Sequence, residues 1–293
     1  MVSNTLAPQQ QAQTPAKLFT AFLTSDAVKN KINQILKGKE GTKFIADLVT
    51  VVTNNPALQK CDKATILASA LLGASLKLSA SPQLGQYHLV PYNDNDRGIT
   101  VAQFQLGYKG YIQLAMRSGY YADLDVIEVR EGEYKGKNKL TGKAVIEFIE
   151  DDELRESLPI VGYYSYFELL NGFKKSLYWS KVKMENHAKT YSKAYAKDLK
   201  KGSKWSFWSK DFDGMAFKTM LRQLISKWGI MSIEFQTALD NDMAVINDVG
   251  EDPQYVDNAA DEIIEVQSSK NDDIAQHFED EEHIINNDPF AFD

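Results

Sequence analysis

Between Lys174 and Lys227 the chain carries 14 lysines and arginines against 4 aspartates and glutamates, a net charge of +10 over 54 residues. Tyr178, Trp179, Tyr191, Tyr195, Trp205, Phe207, Trp208 and Phe212 are interleaved with them. Cationic side chains can follow a phosphate backbone while aromatic faces accept unstacked bases, which is the chemistry of single-strand nucleic-acid binding. The competing reading is that the lysines form solvated helix faces and the aromatics fill a core. The one-sided charge weighs toward the first for the segment as a whole. Lys181 and Lys183 add a reason of their own: they fall in the first turn of an expected helix, where cations oppose the dipole and an anionic ligand would remove the penalty.

A second stretch with chemical content runs from Gln103 to Gly119. Its pattern is a strand entering a glycine-flanked helix, with Lys109 and Arg117 available to an anion. The alternative there is a glycine-tight corner with incidental charge. Other chemistries are disfavoured. The run Gly132–Lys137 has the wrong glycine spacing for a phosphate-binding loop and is followed by Asn138 rather than Ser or Thr, which argues against ATP-driven action. The four histidines (88, 187, 277, 283) and Cys61 are scattered, so no zinc site is suggested. Asp94–Gly98 fails the calcium-loop order because Arg97 stands before Gly98, and it reads as a hairpin connection. The carboxylates of Glu150-Asp151-Asp152-Glu153 leave a metal-dependent nuclease open as an alternative, although such a run is more often a solvated loop.

Whole-chain charge hides this pattern. The 293 residues sum to −7, which taken undivided argues against a polyanion binder. Residues 1–100 and 101–240 are each +4, whereas 241–293 hold 16 acids and one base, Lys270, for −15. A basic body followed by an acidic strip suggests nucleic acid, a membrane surface or an autoinhibitory tail. A lone cysteine is consistent with a reducing cytosol. No apolar run is long enough to span a bilayer, and the uncharged Gln-rich leader lacks the features of a signal peptide.

The elements that must position these residues follow from periodicity and turn chemistry. Residues 1–15 read as a disordered leader, 16–240 as the folded core and 241–293 as a flexible acidic tail. Helices are expected over Lys17–Leu36, Lys43–Thr53 and the small-residue run after Asp62, whose Ala64, Ala68, Ala70 and Gly73 imply close packing. Strands are expected at Gln86–Tyr92 and Ile99–Gln105, a helix at Gly107–Ser118, and strands at Tyr121–Val129 and Ala144–Ile149 around a Lys/Gly-rich connection. Asn171-Gly172 marks a two-residue hairpin turn between Ile160–Leu170 and Phe173–Trp179. That turn would pair Tyr164 with Trp179, Tyr166 with Leu177 and Glu168 with Lys175 on a core face, and Ser165 with Tyr178 and Leu169 with Lys174 on a wetter one. A helix from Ser180 to about Lys200 and a loop over Lys201–Trp208 follow. In the next helix, about Asp211–Trp228, Lys218 and Arg222 flank the stripe of Phe217, Leu221, Leu224 and Trp228 on one side and Lys227 on the other. The fold class is therefore α+β: a helical N-terminal part, central antiparallel hairpins packed by helices, and the tail.

Three segments carry a family resemblance. AQFQLGYKGYIQLAMRSG at 102–119, YFELLNGFKKSLYW at 166–179 and DGMAFKTMLRQLISKWGIMS at 213–232 closely resemble the RecT family of phage recombinases, and HLVPY at 88–92 fits the same family. The resemblance spans about 40–240. It implies a non-enzymatic, ATP-independent protein that binds and anneals single-stranded DNA in phage homologous recombination, in the cytoplasm of a bacterial host. It further implies oligomeric rings or helical filaments holding an annealed duplex intermediate, a partner 5′–3′ exonuclease, and contact with a host single-strand-binding protein. No cofactor is required, Mg²⁺ entering only alongside DNA. Carried over by motif, the groove residues are Lys109, Arg117, Lys174, Lys175, Lys218, Arg222 and Lys227. The residues' own pattern adds Tyr178, Lys181 and Lys183. The tail lies outside the matching segments. Its Pro289-Phe290 end suits partner recruitment, its charge suits autoinhibition, and a merely solubilising role is as good a reading. A partner-recruiting protein with an incidental basic face is the remaining non-enzymatic alternative.

Overall fold

Thr14 caps the first helix through its hydroxyl, and Pro15 takes the first helical position, where a missing N–H costs nothing. The computed structural model describes residues 14–94 and 97–246. Helix α1 (Pro15–Leu23) and α2 (Asp26–Ile35) divide the periodicity expected to run unbroken to Leu36, because Ser25 interrupts it and starts the second helix. Helix α3 (Lys39–Thr53) and a 3₁₀ turn at Leu58–Lys60 lead to α4 (Lys63–Ser75). Asp62 caps α4, accepting from the amides of Ala64 and Thr65 at 3.1 Å each. The small residues of α4 have the expected use. Its body is buried, and Gly73 leaves room for the Tyr87 ring, which a Cβ there would overlap.

Strands β1 (Tyr87–Asp94) and β2 (Ile99–Leu106) form an antiparallel hairpin, then α5 (Tyr108–Ser118) closes on Gly119 in the left-handed region at φ 74°. The corner between β2 and α5 is glycine-tight for a concrete reason: the backbone of Gly85 and Gln86 lies against Gly107 and Gly110, and a Cβ at either would strike a carbonyl oxygen. Gly110→Ala is therefore expected to destabilise the fold by about 1 to 3 kcal/mol. This would be read as a lowered urea midpoint at unchanged slope; an unmoved midpoint would mean that the crossing relaxes freely.

The second sheet is β3 (Tyr121–Arg130), β6 (Ile160–Leu169) and β7 (Lys174–Ser180), in that order. Between β3 and β6 the Lys/Gly-rich connection is itself a small hairpin, β4 (Tyr134–Lys137) with β5 (Ala144–Ile146), followed by α6 (Asp152–Ser157). The acidic run thus has a structural job: Asp151 caps α6 through the Leu154 amide at 3.1 Å.

The register of β6 and β7 differs by one residue from the two-residue expectation. Tyr163 faces Trp179, Tyr164 faces Tyr178, Ser165 faces Leu177, Phe167 faces Lys175 and Glu168 faces Lys174. The loop holds three residues, not two. Leu169 O accepts the Gly172 amide, the Leu169 amide donates to Phe173 O, and Gly172 sits at φ 84°, the arrangement of a type I turn closed by a glycine bulge. A one-residue slip exchanges faces. Tyr163, Ser165, Phe167 and Leu169 are buried in place of Tyr164 and Tyr166, and the rim ion pair is Lys174–Glu168, at 2.6 Å.

The long helix expected after Ser180 breaks at Ser192, which ends α7 (Lys181–Tyr191) and caps α8 (Lys193–Lys201). A short α9 (Phe207–Lys210) begins within the expected loop and runs two residues past its end. Helix α10 (Phe212–Trp228), capped by Asp211, packs against β3, β6 and β7 on one side and α5 on another. Helix α11 (Ile233–Asp240) follows. Residues 241–246 are not tail: Ala244–Val245 forms β8, which adds to β2 as the third strand of the first sheet, and Ile246 is buried. The tail from 247 onward lies outside the described residues, as does the leader before Thr14.

Candidate nucleic-acid interface

The Lys-rich hairpin β4–β5 is fastened to the body by Glu133, whose side chain is buried. Burial alone would raise that carboxyl. Hydrogen bonds from the Arg155 side chain and from the Arg130 and Ile149 amides outweigh it and hold the group below the usual glutamate range. The hairpin's Tyr134 stacks on Tyr178 of β7, with ring centroids 4.3 Å apart and planes 8° from parallel. This brings Lys137 and Lys143 to the edge of a cleft of about 180 Å³ shared with Lys175, Ser176 and Tyr178.

Two helices supply the rest. Ser180 caps α7 through the Lys183 amide, and the first turn of α7 contains no acid. Lys183 Nζ stands 4.3 Å from the Trp179 ring centroid. Lys175 Nζ stands 4.5 Å from the Trp228 ring, which Lys227 also approaches at 6.0 Å. Partial burial, and then the charges of Lys227 and Lys137, hold the Lys183 ammonium below the usual lysine range. Among the described residues, none of Lys137, Lys143, Lys175, Lys183 and Lys227 pairs with a carboxylate. Beside them, burial and the Lys183 and Arg222 charges push the His187 imidazole down to about 4, so it is neutral at pH 7. Its ring packs on Trp179 and Tyr191.

The other expected groove residues are placed differently. Lys174 is exposed at the hairpin rim in its ion pair with Glu168, and Lys181 is partly buried at the start of α7. Lys109 is exposed at the first turn of α5. Arg117, at the other end, donates to Leu76 O at 2.7 Å and Lys77 O at 3.3 Å, capping the carbonyl end of α4. Lys218 is only 7% exposed, and its ammonium donates to Asp242 Oδ1 at 2.9 Å. Arg222 donates to Asp242 Oδ2 at 3.1 Å. Lys218 therefore faces the interior, and its charge does not reach a ligand from solvent.

Sequence reasoning passed over Lys137, Lys143, Tyr134 and Trp228 as site residues. For the first two the signal was present: Lys135, Lys137, Lys139 and Lys143 stand in one short connection. What was missing was the Tyr134–Tyr178 stack that lays the connection against β7. Among the described residues no three His, Cys, Asp or Glu side chains gather as a metal-binding group, and no helix is long and apolar enough to cross a membrane.

The sequence profile of the RecT family matches residues 42–257. The chain belongs to the RecT family. Membership places it among the proteins of DNA recombination and single-strand annealing, which are annealing proteins rather than classical enzymes. The RecT-family chain is 40% identical over 231 residues to the uncharacterized protein YqaK of Bacillus subtilis (strain 168), covering 79% of this chain and 72% of that relative. It is 26% identical over 231 residues to Protein RecT of Escherichia coli (strain K12), covering 76% and 79%. The matched span begins before α4 and runs past β8, so it takes in every element of the lysine cluster.

Proposed function

We propose that the chain binds single-stranded DNA along the cleft between β4–β5 and β7 and the adjoining lysines of α7 and α10, and anneals complementary strands without ATP in phage homologous recombination. The observation that carries this reading is the gathering of five lysines without carboxylate partners among the described residues: Lys137, Lys143 and Lys175 line the cleft beside Tyr178, and Lys175, Lys183 and Lys227 stand by the Trp228 and Trp179 rings. Lysines grip phosphate without reading sequence, and a groove that holds the backbone leaves base edges open for pairing. Lys137, Lys143, Lys175, Lys183 and Lys227 make the phosphate contacts in this proposal. Lys109, Lys174 and Lys181 extend them on the surface. Arg117, Lys218 and Arg222 act by holding elements together.

The finer assignments that go with this reading are a homo-oligomeric ring or filament, a 5′–3′ exonuclease partner, a host single-strand-binding protein, and work in the bacterial cytoplasm with Mg²⁺ present only as a companion of DNA. The test is direct. Labelled complementary oligonucleotides are expected to pair faster with the protein present and no nucleotide added, with both strands intact afterwards in Mg²⁺. An unchanged pairing rate sinks the annealing role, and strand cleavage would favour the nuclease alternative.

A further inference from the structure

The loop between α8 and α9 holds an aromatic side chain in water on a rigid support. Trp205 is 74% exposed and Phe207 40% exposed. Trp208, three residues on, is buried against Tyr195 and Phe212. The loop is not loose at Trp205. Asp198, 3% exposed, accepts from the Ser203 hydroxyl at 2.5 Å, the Trp205 amide at 2.9 Å, the Ser206 amide at 2.7 Å and the Ser209 hydroxyl at 2.7 Å. Hydrogen bonds from Ser203 and Ser206 hold its carboxyl far below the usual aspartate range, so the charge that fastens the loop persists. One buried anion thus fixes the backbone on both sides of an indole that stands 74% exposed.

The surroundings define what that indole would accept. From Lys189 to Lys210 there are seven lysines and one acid, Asp198, which is buried. The exposed charges that this stretch itself contributes are therefore all lysines. Lys210 Nζ lies 5.8 Å from the Trp205 ring and 5.9 Å from the Phe207 ring, so a single ammonium flanks both. An apolar protein partner seated on these rings would have to strip water from Lys210, which is costly, and lysine is depleted in protein interfaces. A nucleotide pairs a π face with a phosphate and uses both features.

We propose that Trp205 and Phe207 form a base-stacking platform, fixed by the Asp198 hub, for a single DNA strand whose phosphates run past Lys210 and its neighbours; this rests on the single-strand reading above. Stacking needs the base, whereas the lysine contacts need only phosphate. Binding by the full-length protein and by Trp205→Ala and Trp205→Phe would be measured on an oligothymidylate and on an abasic strand of equal length. Trp205→Ala is expected to weaken oligothymidylate binding about 10-fold and to leave abasic binding unchanged, with Trp205→Phe close to the parent. Equal loss on both strands, or no loss on either, overturns the platform. A loss of self-association by Trp205→Ala in sedimentation, with base-dependent affinity intact, assigns the ring to a protein contact and overturns it as well. Failure of the parent protein to bind either strand would instead sink the single-strand reading itself. Since the Trp205 side chain is mostly in water, its loss should leave the melting temperature in place, and that is checked alongside.

Discussion

Replacing Lys175, Lys183 and Lys227 together by alanine is expected to lower affinity for single-stranded DNA by about 100-fold at 0.1 M salt. Each phosphate contact to a single strand contributes roughly 0.7 to the slope of log affinity against log salt, so three lost contacts flatten the slope by about 2. The same relation requires the loss to shrink as salt rises and to vanish near 1 M, because the lost term is counterion release. The loss is expected to be equal on all sequences, since the lysines would meet phosphate and not base edges. These side chains have no carboxylate partner among the described residues, so folding should be little affected, relief of repulsion at Lys183 being offset by loss of the contacts with the Trp179 and Trp228 rings. Salt titrations of the parent and the triple variant on two unrelated oligonucleotides decide the matter. An unchanged slope would remove the cleft from DNA binding, and a sequence-dependent loss would contradict a phosphate role.

The reach of the sequence is well illustrated by these same residues. That α10 exists, and that Lys227 parts from Lys218 and Arg222 across its stripe, follows from 3.6-residue periodicity alone. That Lys218 is buried does not. Burial depends on what packs over the flank, and the cover comes from Asp242, in a stretch whose average composition resembles the acidic sequence beyond it. A strand of two residues such as Ala244–Val245 is too short to leave a periodic signal, so β8 was invisible until β2 was seen to pair with it. The β6–β7 hairpin shows a different limit. Asn171-Gly172 located the turn correctly, yet the same dipeptide serves a two-residue turn and a three-residue turn with a glycine bulge. Only the neighbouring hydrogen bonds of Leu169 distinguish them. The consequence for the site was large, because the slip moves Lys175 from opposite Glu168 to opposite Phe167, leaving its ammonium for Trp228. The Asp62 cap, the β1–β2 hairpin and the Gly119 terminus, all fixed by local chemistry, were legible as they stand.

Asp242 is where the largest loss of stability is expected. Its side chain is fully enclosed and accepts four donors: the Leu106 amide at 2.9 Å, Lys218 Nζ at 2.9 Å, Arg222 at 3.1 Å and the Tyr111 hydroxyl at 3.4 Å. It thereby joins the end of β2, α5 and α10 to the segment that becomes β8, which the Met243 amide extends by donating to Phe104 O at 2.8 Å. Asp242→Ala leaves the Lys218 ammonium buried without its counter-charge, a change that typically costs about 3 to 5 kcal/mol, a large share of the 5 to 15 kcal/mol that holds a domain together. Adding Lys218→Met to that variant removes the stranded charge and is expected to recover part of the loss, since a buried pair is often replaceable by apolar groups of similar size. Urea melts of the two single variants and the double variant give the coupling between the sites. Independent, additive losses would mean that the pair does not act as a unit. The single Lys218→Met variant also separates the two roles this lysine has been given. A structural lysine loses stability and keeps the parent's salt slope for DNA, whereas a groove lysine keeps stability and flattens the slope by about 0.7. Its place against Asp242 requires the first outcome.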